Sequence, residues 1–273
     1  TLRSDPSNLL VNANAGIVQT SEIHTSFLFT YFVSSYDIYS FLYNLDLGGD
    51  NMRNTNLQAM IESAILAAFA MIIDILPLSL KLPTGGSISF AMIPIFIIAY
   101  RWGFKSAFLG GLVWGLLQIV VGDAYILTPV QAFIEYFIAF AFIGFAGLFY
   151  RPIQKALLTS NENSLEQSNL GNRKDKHSSK QNQGKKVLAY IILATFIGSF
   201  ARYFCHFIAG IIFWGQYAPK GQSAVLYSLI VNGSTMLGSF ILCTVLLIFL
   251  FITSPRLFKS ISAYQMNTQK KGA

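Results

Sequence analysis

Long apolar stretches separated by short polar connections dominate the chain from Leu57 onward. A helix rises about 1.5 Å per residue, so roughly 20 apolar residues cross the hydrocarbon core of a bilayer. The pattern predicts an all-α integral membrane protein that folds as a six-transmembrane-helix bundle, with a second helix that is tilted or spans incompletely because it is short. The predicted helical segments are about residues 57–80, 88–100, 104–121, 128–150, 187–213 and 223–253.

The composition agrees with a lipid environment. The 273 residues are 53% hydrophobic and 15% aromatic, only 11% are charged, and the mean hydropathy is +0.52. Soluble domains carry roughly 25% charged residues. The net charge of +7 comes from basic residues at the ends of apolar segments and in one polar segment. We therefore expect these residues to set membrane topology rather than to bind nucleic acid.

The polar segment 159–186 divides the helices into four and two. Its richness in Asn, Ser, Gln and Lys predicts a linker. Outside the apolar segments, Lys and Arg fall on one side of the six-helix arrangement, except for Lys81 and Lys220. The positive-inside rule thus predicts one multi-pass membrane domain, residues 52–273, with the linker and both termini in the cytoplasm.

Residues 1–51 lack the ordered regions of a signal peptide and contain no clean apolar span. The run Gly-Gly-Asp-Asn directly before Met52 is compatible with a ribosome-binding sequence at the nucleotide level. We expect residues 1–51 to be either a tail or a mistranslated leader.

One carboxylate stands out in the fourth segment. Glu135 lies well inside an apolar run, where a charge costs at least a few kcal/mol unless it is paired or faces a polar cavity. Gln131 lies one helical turn earlier on the same face. Glu135 is therefore a candidate functional residue, and the alternative is a structural ion pair with Arg202, the other charge inside an apolar segment.

Arg202, His206, Gly210 and Trp214 recur every four residues in the fifth segment and form one ridge. A basic group, an imidazole and an indole on one stripe favour the wall of a binding site. Taken singly, each also fits helix packing or an interfacial position.

Further polar and aromatic residues lie near the same ends of other segments. Asn232 needs a hydrogen-bond partner because water is scarce inside a bilayer, and either a ligand or a neighbouring helix can supply it. One carboxylate with an imidazole, an amide and several aromatic rings suits a cationic, aromatic, hydrogen-bonding ligand. The residues that join Glu135, His206 and Trp214 in this set are Trp114, Tyr125, Tyr227 and Asn232.

Motifs of enzymes are not found in the sequence. It contains no G-x-x-x-x-G-K-[ST] phosphate loop, so we expect ATP hydrolysis to require other subunits. G-x-S-x-G and H-E-x-x-H are also absent. We expect a protein without enzymatic activity, cofactor or metal.

Several runs resemble the thiamine-specific substrate-binding subunits (S components) of energy-coupling factor (ECF) vitamin transporters. The resemblance covers residues 55–255 apart from the linker. It implies a six-helix fold in the bacterial cell membrane, thiamine as ligand, and ATP-driven uptake through a transmembrane coupling subunit and two ATPase subunits. The runs are PTGGSIS at 83–89, MIPIF at 92–96, GDAYIL at 122–127, QAFIEY at 131–136, RYFCHFIAGIIFWGQYA at 202–218 and YSLIVNG at 227–233.

The same resemblance implies ligand contacts, residue by residue. Some relatives have a tryptophan in the first outer loop, where this chain has Gly85 and Gly86. The contacts implied around the aminopyrimidine are Glu135, Asn232, Tyr227 and Trp214, those near the thiazolium and its hydroxyethyl arm are His206, Tyr125 and Tyr136, and Trp114 lines the pocket floor.

Ala64 and Ala68 match the A-x-x-x-A pattern with which the resembling proteins meet their coupling subunit. Small residues four apart let another helix approach closely in lipid. Tight packing inside this bundle is the alternative role for these alanines.

Two other functions remain open at this stage. The chain is either an S component for another vitamin or a thiamine precursor, or an ion-coupled secondary transporter that uses Glu135 as a proton site. The second is weakened by the lack of an evident inverted repeat.

Overall fold

The computed structural model describes residues 51–76, 79–82, 86–166 and 173–260. Within these ranges, five helical segments are long and apolar enough to cross a membrane, and one further apolar helix has ten residues. The all-α membrane bundle is thus confirmed, and the second segment is short as expected. In chain order, the helices are α1 (Asn51–Ile75), α2 (Ile93–Trp102), α3 (Phe104–Val121), the fourth span (Pro129–Leu158), α7 (Arg173–Phe213) and α8 (Ala224–Thr253).

A small hairpin connects α1 with α2. Strand β1 (Leu80–Lys81) pairs antiparallel with β2 (Ser87–Ile88). The predicted helical bounds, 57–80 and 88–100, were therefore wrong at these two ends, because a short apolar run does not distinguish a strand from a helix. Gly85 lies outside the described residues.

The fourth span is irregular around Glu135. It comprises α4 (Pro129–Ala132), a π-helical turn (Phe133–Ile138), α5 (Ala139–Phe142), a 3-10 helix (Ile143–Phe149) and α6 (Tyr150–Glu166), which continues beyond the span. Thr128 caps its start by accepting a hydrogen bond from the Gln131 backbone N–H at 3.1 Å. Single π-helical turns occur frequently at functional sites.

Small residues allow the helices around Glu135 to approach each other. A Cβ atom at Gly115 would collide with the backbone carbonyl of Tyr136, and one at Gly111 with that of Phe140. Gly210 of α7 likewise leaves room for Ser228 of α8. Such close approaches are typical of helix packing in membranes.

Helix α7 has two chemically different faces. Its exposed side carries an apolar ridge with a spacing of four residues, as expected for a helix in contact with lipid. Arg202 and His206 lie on the other ridge and line an internal cavity. The exposed residues are Phe196, Phe200, Phe204, Ile208 and Ile212.

The polar segment 159–186 is helical in its described parts, and its role as a cytoplasmic linker stays a prediction. Helix α6 continues to Glu166, and α7 begins at Arg173. Extending an existing helix needs no new nucleus, and Lys and Gln are good helix formers. The prediction for residues 1–51 falls almost wholly outside the described ranges, since α1 begins at Asn51.

The two ends of the bundle differ in their connections. The end that carries the connections 122–128 and 214–223 is here named the loop end. The opposite end, named the linker end, carries residues 254–260, including a 3-10 helix (Pro255–Phe258). Phe258 is fully buried there and stacks on Tyr100, with ring centroids 5.9 Å apart.

Candidate ligand-binding site

Glu135 is buried, with 7% of its surface exposed, and both carboxylate oxygens accept hydrogen bonds. The indole Nε1–H of Trp214 donates to Oε1 at 2.8 Å, and the amide of Gln131 donates to Oε2. Both partners are neutral. In the part of the chain that the structure describes, no Lys or Arg forms a salt bridge with Glu135. The alternative of an ion pair with Arg202 was therefore wrong.

Gln131 connects Glu135 with the loop 122–128. Its side chain is fully buried, and its Nε2–H group also donates to the carbonyl of Tyr125 at 3.2 Å. Its Oε1 accepts from the backbone N–H of Leu127 at 3.0 Å. One amide thus fixes both the carboxylate and the loop above it.

Aromatic rings cover this carboxylate at the loop end. The Tyr125 ring lies 5.5 Å from the Trp214 ring between centroids, at an interplanar angle of 39°. The hydroxyl of Tyr136 accepts from the backbone N–H of Tyr125 at 2.8 Å. Glu135, Tyr125, Tyr136 and Trp214 are therefore in one cluster.

A cavity of about 230 Å³ lies next to this cluster. It is larger than the roughly 150 Å³ cavity that holds benzene in an engineered protein. Tyr136, Trp114 and His206 line it, so three of the predicted ligand contacts share its wall. The cavity therefore has room for an aromatic ring with substituents.

Asn232 lies beside His206 but uses its donors within the bundle. Its Nδ2 group donates to the His206 carbonyl at 3.3 Å and to the carbonyl and hydroxyl of Ser228 at 3.2 Å. Hydrogen bonds within the bundle thus occupy the amide donors of Asn232. Tyr227 is half-buried on the same helix, and among the described contacts no side-chain hydrogen bond or ring contact joins it to the cluster.

Sequence analysis did not select several polar residues of the cavity. Asp74, at the end of α1, accepts a hydrogen bond from Gln118 of α3. Both lie in apolar helices, so the argument that drew attention to Glu135 also applies to them. Arg202, which the sequence analysis placed on one ridge with His206 and Trp214, lines the cavity as well.

The fold and the site define a class of protein. A bundle of apolar helices with a polar and aromatic cavity, beside a buried carboxylate that has no cationic partner among the described residues, is typical of membrane proteins of the small-solute transport class.

Within this class, the chain belongs to the thiamine transporter protein family, which its sequence matches over residues 60–259. The family resemblance noted in the sequence is thereby confirmed.

Individual relatives agree with this assignment. The chain is 39% identical to the thiamine transporter ThiT of Bacillus subtilis (strain 168), over 76% of this chain and 97% of the relative. It is 36% identical to ThiT of Lacticaseibacillus paracasei, over 76% of this chain and 92% of the relative. A solved structure of ThiT from Listeria monocytogenes superposes with a TM-score of 0.63 at 39% identity, covering 75% of this chain and 98% of that one.

Proposed function

We propose that this protein is the thiamine-binding membrane subunit, or S component, of an ATP-driven ECF vitamin uptake transporter. The observation that carries the proposal is the state of Glu135. Its carboxylate is buried, accepts hydrogen bonds only from neutral donors among the described residues, and lies under aromatic rings. Such a site retains a negative charge for a cationic ligand.

Thiamine supplies the chemistry that this site lacks. Its aminopyrimidine offers an amino group to a carboxylate, and its thiazolium is a permanent cation that aromatic faces attract. The ligand contacts assigned by this proposal are Glu135, Trp214, Asn232 and Tyr227 for the aminopyrimidine, His206, Tyr125 and Tyr136 for the thiazolium and hydroxyethyl arm, and Trp114 for the pocket floor.

Titration calorimetry on the purified protein tests the ligand directly. Thiamine should bind without any nucleotide, because the residues of the site belong to this chain. A thermal-shift panel of vitamins should show stabilisation by thiamine, which amounts to about 2.7 kcal/mol at a concentration 100 times Kd. Heat with another vitamin and none with thiamine would overturn the ligand assignment.

Energy for uptake comes from separate ATPase subunits in this proposal, since the sequence has no phosphate loop. The positive-inside pattern places the linker end and both termini in the cytoplasm of a bacterial cell, with the loop end outside. Uptake should stop without the ATPase pair and survive an uncoupler. The reverse result would favour an ion-coupled transporter that protonates Glu135.

Helix α1 provides the contact with the coupling subunit. Ala64 and Ala68 are exposed on its outer face, whereas Ala67 is fully buried against the bundle. Exposed small residues four apart permit the close approach of a partner helix.

Ala64→Leu and Ala68→Leu should therefore preserve thiamine binding while reducing uptake strongly. Ala67→Leu is the matched control on the same helix, and overpacking should lower its stability by about 1–3 kcal/mol. Loss of thiamine binding in Ala64→Leu would show that this alanine packs inside the bundle instead.

A further inference from the structure

The cavity beside Glu135 is lined by a second carboxylate and by a half-buried cation. Asp74 of α1 and Arg202 of α7 both line it. Arg202 acts electrostatically on Asp74, yet within the described ranges the two side chains form no direct salt bridge. The two charges thus face the same cavity without neutralising each other by contact.

Aromatic rings hold the guanidinium of Arg202. Its Cζ atom lies 4.1 Å from the ring centroid of Phe140, 4.8 Å from that of Trp114 and 5.7 Å from that of Tyr203. Its Nε–H is buried and has no hydrogen-bond partner among the residues that the structure describes. The faces of these rings attract the cation but leave its full positive charge in place.

Neutral donors hold the carboxylate of Asp74 in a corresponding way. The amide of Gln118, itself 3% exposed, donates to one oxygen, and the hydroxyl of Ser89 lies 3.5 Å from the other. These contacts orient Asp74 without neutralising its charge by a direct ion pair within the described ranges. A ligand in the cavity therefore meets both an anion and a cation that are fixed in position.

A positively charged heterocycle would be repelled from a cavity that contained Arg202 alone. At an effective dielectric constant near 20, unit charges about 8 Å apart still change a binding constant by about 10-fold or more. We infer that Asp74 is a specificity-determining residue, which balances the charge of Arg202 and so allows a cationic ring to occupy this cavity. The inference rests on the proposed function, since thiamine is the cation considered.

The test compares two ligands of nearly the same shape. One is thiamine, and the other is its analogue in which carbon replaces the thiazolium nitrogen, giving an uncharged thiophene. Calorimetry on the full-length protein gives the ratio of Kd for the neutral analogue to Kd for thiamine. This charge selectivity is measured in wild-type protein and in variants with verified folding.

Asp74→Asn should lower the charge selectivity on the order of 10-fold, mainly through weaker thiamine binding. Asp74→Glu retains the charge and should keep the wild-type ratio, as should Asp74→Asn combined with Arg202→Gln, which removes both charges. Asp123→Asn removes a carboxylate at the exposed rim of the same cavity, where water screens it, and should change the ratio less.

Equal weakening of both ligands by Asp74→Asn would overturn the inference and assign Asp74 a structural role. The inference would also be overturned if the charge selectivity stayed low when Asp74→Asn is combined with Arg202→Gln. The same holds if Asp123→Asn lowered the charge selectivity as much as Asp74→Asn does. Wild-type protein that binds neither ligand would instead overturn the proposed function, and this inference with it.

Discussion

The two ends of the bundle contain clusters built from matching parts but with different charge. At the linker end, Trp102 donates its indole N–H to Glu62 at 2.7 Å, just as Trp214 donates to Glu135 at 2.8 Å at the loop end. Glu62 also has a cation, because Arg101 Nε lies 2.5 Å from its Oε1. Glu135 has no such cation in the described part of the chain.

A buried glutamine lies at each end of the bundle. Gln154 donates to the carbonyls of Tyr100 at 2.7 Å and Phe258 at 2.6 Å, and accepts from the Ser260 N–H at 3.0 Å. It thus anchors the segment after α8 to backbone groups. Gln131 instead divides its contacts between a loop and the carboxylate of Glu135.

We propose that this difference separates a structural cluster from a binding cluster. Where a buried carboxylate and its cation both belong to the chain, removing one of them leaves the other charge buried and unpaired, which destabilises the fold. Where a buried carboxylate has no cation from the chain, removing the carboxylate instead weakens the binding of a cationic ligand. The predictions below use this distinction.

The largest effect is expected from Arg101→Met. Glu62 would lose its cation while remaining mostly buried, so the free energy of unfolding should fall by about 3–5 kcal/mol. Denaturant unfolding in mixed micelles measures this change. Adding Glu62→Gln should recover much of the loss, and the folded fraction should bind thiamine with wild-type affinity. A fully stable Arg101→Met would show that the linker end is not held by its ion pair.

The glutamines give a matched pair of variants. Gln154→Met leaves buried backbone groups without partners and should lower the free energy of unfolding by about 1–3 kcal/mol for each such group, with no change in thiamine affinity. Gln131→Met should also weaken thiamine binding, because it releases Glu135 and the loop 122–128. The effect of Gln131→Met on thiamine binding should be smaller in a protein that also carries Glu135→Gln. Additive effects would show that Gln131 does not act through Glu135.

The smallest effects concern two tyrosine hydroxyls. Tyr136→Phe removes the acceptor for the Tyr125 N–H and should weaken thiamine binding by about 2- to 12-fold, equivalent to about 0.5–1.5 kcal/mol. Tyr150→Phe is the control at the linker end, where the hydroxyl lies 3.4 Å from Ser260 Oγ. It should leave the Kd unchanged. Equal losses of thiamine affinity in Tyr136→Phe and Tyr150→Phe would contradict the division between the two ends of the bundle.

Hydrophobic segment lengths predicted most of the fold. The predicted bounds 104–121 and 223–253 nearly coincide with α3 and α8, because long apolar runs in lipid have few alternatives to a helix. The π-helical turn at Phe133–Ile138 and the hairpin at Leu80–Ile88 could not be predicted. Each depends on packing against other helices rather than on local periodicity.

The site was predictable where a polar residue interrupts an apolar run. Glu135 was found in this way, and family resemblance added Tyr136. Asp74 and Gln118 were missed, although the same rule applies to them, because they lie near helix ends, where polar residues are common. The aromatic stack around Arg202 brings together residues from α3, the fourth span and α7, so only tertiary structure reveals it.

The central claim is that Glu135 retains its charge for the ligand, and Glu135→Gln tests it most directly. The variant keeps the side-chain shape and removes the charge. Unfolding and thiamine titration on the same purified protein should show nearly unchanged stability without ligand and binding weakened by about 10- to 150-fold, the value of a charge-assisted hydrogen bond of about 1.5–3 kcal/mol. A ligand-free protein destabilised by several kcal/mol, whose folded fraction binds thiamine normally, would contradict the claim.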